Sequence, residues 1–136
     1  MGRLSDVQTA FDTKLNSLSS AGFSTSNIAW PNYKYKPEVG TAFIRPTLLP
    51  GESIHMTLDG SQRDVGIYQI DVFVEPEKGY TALMTLLDDI YDHFDSVDLT
   101  KNSTQIFLGA ITRTPIKREE SWMMASIEIQ YHSYST

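Results

Sequence analysis

The chain has 136 residues, 40% of them hydrophobic, with 11 basic and 17 acidic side chains and a net charge of −6. A chain of this size buries about two thirds of the surface its unfolded form exposes, so a hydrophobic core needs neither metal nor disulfide to hold it. Cysteine is absent, which excludes disulfides and thiolate metal sites, and the negative balance disfavours tight binding of duplex nucleic acid.

No composition shift divides the sequence, and one domain over residues 1–136 is the expectation. Met1-Gly2-Arg3-Leu4-Ser5-Asp6 turns polar before the apolar core of a signal peptide can form. No run approaches the roughly 20 apolar residues that cross a bilayer. The protein is therefore expected neither to be secreted by that route nor to enter a membrane, and Asn102-Ser103-Thr104 reads as a polar turn.

Leu4, Val7, Phe11, Leu15 and Leu18 follow the three-and-four spacing of an amphipathic helix. Ser5 and Gln8 have capping-box spacing, and Gly22 offers a left-handed stop. The segment Trp30-Pro31-Asn32-Tyr33-Lys34-Tyr35-Lys36-Pro37 interleaves aromatics with lysines, which on a basic protein would point to single-strand stacking. On this acidic chain it reads as an extended arm whose aromatics pack either on the domain or on a neighbouring subunit.

Thr41 to Leu49 is rich in β-formers, with Pro46 marking an edge or a bulge. Pro50 to Gly66 carries turn signals at Pro50-Gly51 and Asp59-Gly60 and reads as a long, partly open connection, with room for a short strand at Ile54-His55-Met56. Tyr68, Ile70, Val72 and Val74 then alternate with Gln69, Asp71 and Phe73, the period of a half-buried strand.

A second helix follows the turn Glu75-Pro76-Glu77-Lys78 and begins near Gly79. Its stripe is Tyr80, Leu83, Met84, Leu87, Ile90, Tyr91 and Phe94, with Thr81, Thr85, Asp88, Asp92 and Asp95 facing away. Two more strands are expected: Gln105 to Thr112, with Ile106, Leu108 and Ala110 on one face, and Trp122 to Tyr131, with Met123, Ala125, Ile127, Ile129 and Tyr131 on one face. The 113–121 connection is too short for a crossover helix, so the pair should be antiparallel. These elements imply an α+β fold, a mainly antiparallel sheet of about four main strands with two helices packed on one face and the other face and edges left for partners.

Chemistry is hard to find. His55, His93 and His132 show no metal-ligand spacing, and no nucleophile elbow, S-x-x-K frame or Gly-rich phosphate loop occurs. No catalytic residue, metal or cofactor is expected. Asp88, Asp89, Asp92, Asp95 and Asp98 form the densest charge cluster. Most of it reads as a solvated helix face; the alternative is a contact that a cation or a basic partner neutralises, because carboxylates crowd the negative end of the helix. Arg113, Lys117 and Arg118 form a small basic loop of opposite sign, and in a ring the two patches can meet head to tail.

Ile28-Ala29-Trp30-Pro31-Asn32, then Phe43-Ile44-Arg45-Pro46-Thr47-Leu48-Leu49-Pro50-Gly51, then Gly66-Ile67-Tyr68-Gln69-Ile70-Asp71-Val72-Phe73-Val74 and Lys78-Gly79 occur in that order. This succession resembles the tail terminator proteins of long-tailed phages, the lambda-like type, over about residues 4 to 131. The resemblance implies a six-fold ring that caps the growing tail tube, halts its polymerisation and presents a surface to head-completion proteins, with DNA passing through without specific binding. It implies no catalytic residues. Subunit-interface candidates follow from the residues instead: Tyr33, Tyr35, Ile54, Met56, Arg63, Asp88, Asp92, Asp95, Arg113, Lys117 and Arg118. A head–tail connector or tail-tube subunit is the alternative within phage assembly, and a small-ligand α+β domain the alternative outside it.

Overall fold

The computed structural model describes residues 3–18, 23, 27–31, 34, 36, 41–55, 62–75, 81–95, 97–101, 104–119 and 122–135. In chain order the elements are α1 (Arg3–Leu15), β1 (Phe43–His55), β2 (Gln62–Val74), α2 (Thr81–Phe94), β3 (Asp98–Lys101), β4 (Thr104–Arg113), β5 (Lys117–Glu119) and β6 (Trp122–Ser135). The α+β class holds, but among the described residues the sheet has six strands, in the order β1-β2-β6-β4-β3 with β5 on β6, and not about four. All the strand pairs are antiparallel.

β6 is the spine. On one side it pairs with β2 from Gln62↔Ser135 to Val74↔Met123. On the other it pairs with β4 and then β5, Arg113 lying opposite Ile127 and Lys117 opposite Met124. Between these two strands Thr114 keeps the ladder going, its amide donating to the Ser126 carbonyl and its Oγ1 accepting from the Ser126 amide. The expected basic loop is thus part of a kinked strand, with Arg113 closing β4 and Lys117 and Arg118 in β5.

The expected connection from Pro50 to Gly66 is corrected by β1 and β2, which extend into it and pair as far as His55↔Gln62. Pro50-Gly51 is not a turn but a bulge: β1 advances three residues from Pro50 to Ser53 while β2 advances two, from Gly66 to Asp64. A bulge absorbs one extra residue without ending the ladder. Glycine suits the spot because a Cβ on Gly51 would stand 2.8 Å from the Val65 carbonyl oxygen. Asp59-Gly60 and Met56 lie outside the described residues.

A second bulge corrects the reading of β4. Leu108 and Ile111 face Tyr131 and Ile129, so Gly109 and Ala110 share one step of β6. Alternation resumes out of phase, Ile111 takes the inward position expected of Ala110, and Ala110 is exposed.

Side chains of both helices enter one core cluster. From α1 come Val7, Ala10, Phe11 and Leu15; from α2 Leu83, Leu86, Leu87, Ile90 and Phe94; from the sheet Ile44, Tyr68, Ile70, Val72, Ile127 and Ile129, among others. Phe11 is its centre, stacked on Tyr68 at 4.4 Å, edge-on to Tyr131 at 5.5 Å and tilted against Phe94 at 6.2 Å. Fully burying each such side chain is worth roughly 1.5 to 3 kcal/mol. Met84, expected in the α2 stripe, is 51% exposed, and Leu86 is buried in its stead. Both flank the line Leu83-Leu87-Ile90-Phe94, and periodicity alone does not choose between them.

α1 starts by Arg3, so Ser5 stands inside the helix and not ahead of it as a cap. Leu4, placed on its apolar face by spacing, is 51% exposed. Gly22, Gly79 and Tyr80 lie outside the described residues. At the other end of α1, His93 from the last turn of α2 places Nε2 2.6 Å from the Lys14 carbonyl and 3.1 Å from Ser17 Oγ. A carbonyl only accepts, so Nε2 carries the proton and ties the two helices together at a helix-end carbonyl that also accepts from the Ser17 amide at 3.1 Å and the Ser17 hydroxyl at 2.6 Å.

Two sheet positions yield opposite expectations for stability. A Cβ on Gly66 would meet Tyr131 Oη at 2.6 Å and the Leu49 carbonyl at 2.7 Å. Gly66→Ala should therefore destabilise the fold by about 1 to 3 kcal/mol in urea unfolding, through overpacking against backbone and ring. Ser133 is 1% exposed and its Oγ has no hydrogen-bond partner among the described residues. Ser133→Ala removes that hydroxyl and should be neutral or stabilising by up to about 1 kcal/mol in the same assay.

Candidate interaction surface

Strand alternation divides the sheet's side chains between two faces. Tyr68, Ile70, Val72 and Val74 lie on the face that carries the main core. Their neighbours Arg63, Val65, Ile67, Gln69, Asp71 and Phe73 lie on the opposite face, together with Arg45, Thr47 and Leu49 from β1 and Ser126, Glu128, Gln130, His132 and Tyr134 from β6.

This second face is not uniform. At one end Phe43 stacks on Phe73 at 4.6 Å and meets Trp122 edge-on at 5.0 Å; Met124 and Ala29 complete a small separate cluster. That end is covered, which corrects the expectation that the whole face stays open. Next comes a polar row around Asp71, which is 5% exposed. Its carboxylate accepts from Ser126 Oγ at 2.5 Å, Gln69 Nε2 at 2.8 Å and Arg45 Nη2 at 3.1 Å. A buried carboxylate with so many donors is satisfied and structural.

The far end is open. Val65 and Ile67 are half-buried and Leu49 is 43% exposed. Phe107, His132 and Tyr134 form an aromatic group with ring centroids 5.3 to 5.8 Å apart. Between them a groove of about 340 Å³ is lined by Arg63, Val65, Ile67, Gly109, Gln130 and His132. It exists in part because the bulge places Gly109, without a side chain, where another residue would fill the space. Arg63 Nε is shut off from solvent there with no hydrogen-bond partner among the described residues.

The sequence-derived interface residues are distributed as follows. Tyr33, Tyr35 and Met56 lie outside the described residues; Trp30, from the same arm as the two tyrosines, packs against the main core, and Ile28 bridges Ile44 at the outer border of β1. Ile54 sits in β1 opposite Arg63. Asp88, Asp92 and Asp95 are exposed along α2 and just past its end. Arg113 reaches Asp88 of its own chain at 3.0 Å and lies over the Tyr91 ring at 4.5 Å. One basic and one acidic candidate are therefore already joined within the chain, with side chains 46% and 66% exposed, a pair worth little to stability. Lys117 and Arg118 are exposed in β5.

Val65, Ile67, Phe107 and Tyr134 were not singled out by sequence. The signal was present: apolar residues at positions out of phase with Tyr68 and Ile70, or with Ile106 and Tyr131, must face away from the helices. Among the described residues no group of three or more His, Asp or Glu side chains converges as a metal site would require. No helix is long and apolar enough to cross a membrane, among the same residues.

Beneath α1, Tyr68 Oη donates to Asp12 Oδ1 at 2.5 Å. Burial raises the Asp12 pKa above its ordinary 3.8, against the opposing effect of hydrogen bonds from Tyr68 and Gln8. The Tyr68 hydroxyl is pushed up strongly, by burial first and by the adjacent carboxylate second. A carboxyl whose folded pKa exceeds its unfolded one contributes stability that is fully present below the unfolded value and is lost as pH rises through the folded value. Asp12→Asn keeps an acceptor for Tyr68 and removes the partly buried charge. It should unfold at a higher temperature than the parent at neutral pH, with the difference vanishing below about pH 3.5, in melting curves recorded across that range.

Comparison with known proteins agrees with this architecture. The family model described as phage tail terminator protein matches residues 6–131. Chains of solved structures also match; one superimposes with a TM-score of 0.73 over 96% of this chain and 94% of its own, at 15% identity, a likeness of fold. No curated protein sequence matches significantly.

Proposed function

We propose, from the premise that this chain belongs to the phage tail terminator family, that it assembles into a six-membered ring that caps the tail tube in the virion. The ring stops tube polymerisation and offers its far side to head-completion proteins, and DNA passes through its centre without specific binding. The work is done by surfaces and not by catalysis, and it needs no cofactor.

The family match over residues 6–131 carries this reading. The layout of the chain supports it. Phe11 of α1 and Phe94 of α2 meet beside Tyr68, which supports a layout in which both helices share one sheet face and the open end of the opposite face is left for neighbours. A net charge of −6 suits a passage that must not hold a polyanion.

Deletion of the gene from the parent phage tests it. The expected phenotype is tails of uncontrolled length that fail to join filled heads, seen by electron microscopy and restored by the gene in trans. Tails of normal length joined to heads in the deletion strain would end this reading.

A further inference from the structure

Many sheet proteins associate by pairing edge strands, and here both borders resist it. At the β1 border the Ile44 carbonyl accepts from the Ala29 amide at 2.7 Å, so the backbone of Ile44 points away from β2. Pro46 and Pro50 share its parity, and each lacks an N–H on the outward side. At the other border β3 is four residues long, and beyond it β4 is broken by the bulge at Gly109-Ala110. Proline, short strands and bulges are the devices by which edges avoid pairing. Among the described residues, faces are therefore better suited than these borders to contact between copies.

The open end of the second sheet face has two unmet needs. Leu49, Val65 and Ile67 leave apolar surface in contact with water, and the Arg63 guanidinium has a buried nitrogen without an acceptor among the described residues. The exposed side of α2 has the complementary pair. Met84 is 51% exposed on an otherwise polar surface, and Asp92 and Asp95 are exposed carboxylates without ion pairs among the described residues. Their spacings also agree. Asp92 and Asp95 lie about 12 and 16 Å along α2 from Met84. Arg63 lies about 13 Å along β2 from Ile67, and the length of its side chain covers the remainder.

We propose that α2 of one copy docks on the open sheet face of the next, Met84 against Ile67 and Leu49, and Asp92 and Asp95 toward Arg63. The contact joins two different surfaces, so each copy keeps one of each free for a further neighbour, and repetition of the same rotation closes a ring. This deepens the ring reading above and rests on it. It also assigns the α2 carboxylates a role that Arg113, already paired with Asp88, does not fill.

The absence of native cysteine makes the contact directly testable by disulfide trapping. Full-length Ile67→Cys and Met84→Cys chains are prepared separately, checked for folding by circular dichroism, mixed and oxidised. The mixture should yield a dimer containing one of each, neither variant should cross-link alone, and a chain carrying both substitutions should give a ladder ending in a closed ring. Should Ile67→Cys fold poorly, Leu49→Cys on the same surface replaces it. In parallel, Arg63→Glu should weaken self-association by roughly tenfold or more in sedimentation, and adding Asp92→Lys with Asp95→Lys should restore it.

Cross-linking of Ile67→Cys with itself, or rings that form without the mixed cross-link, would overturn the contact and leave the ring reading standing. A chain that stays monomeric in sedimentation up to millimolar concentration and on purified tail tubes, with no cross-link in either state, would overturn both.

Discussion

The fold depends on one packing arrangement, in which Phe11 is stacked on Tyr68 and hemmed by Phe94 and Tyr131. These four rings come from α1, β2, α2 and β6, so their contact ties side chains of both helices to the β2 and β6 strand pair. Aromatic pairs of this kind add about 0.5 to 1.5 kcal/mol each beyond the area they bury. Tyr68 also has a polar end, and the Asp12 carboxylate that receives its hydroxyl is partly desolvated in consequence. The core thus accepts an ionisable group to satisfy a buried hydroxyl, a trade that hydrogen-bonding rules make obligatory once tyrosine is chosen over phenylalanine.

The second sheet face follows from the first. Strands with one parity committed to the helices present the other parity to whatever lies outside, and here that parity changes character along its length. Phe43 and Phe73 are closed over by Trp122, Asp71 is paired with Arg45 and accepts a hydrogen bond from Ser126, and Val65 and Ile67 are left open. A gradient from sealed to polar to open confines the surface a neighbour can use. Prolines on one border and a bulge on the other confine it further, since they leave side chains and not backbone ladders to make contacts. An assembly protein gains from this, because edge pairing is indifferent to sequence whereas a face that sets Arg63 beside a few apolar groups selects its partner.

Much of the secondary structure was legible because its cause is local. The strand Tyr68 to Val74 and the helix ending at Phe94 announce themselves by period, and Trp122 to Tyr131 kept the inward face its alternation predicted. The order of segments that resembles tail terminators was legible for the same reason. The structure departs from sequence expectation where a local signal has two outcomes. Pro50-Gly51 reads as a turn, and becomes a bulge only because β2 lies alongside to continue the ladder. Gly109-Ala110 looks like unbroken alternation, yet the partner strand advances by one step there. β3 and β5, of four and three residues, are too short to show a period and are strands only because β4 and β6 pair with them.

The sequence by itself determined the α+β class, the two amphipathic helices, the principal strands, the absence of thiol chemistry and the kinship with tail terminators. Each of these is a property of residue type and near-neighbour spacing, which folding does not alter. Tertiary structure alone decided how many strands join the sheet, where its register slips, that Arg113 is already engaged by Asp88, and that Arg63 faces an open groove beside Ile67. Those outcomes depend on which distant segment arrives next to which, and a one-residue bulge is enough to turn a side chain from the core to the surface.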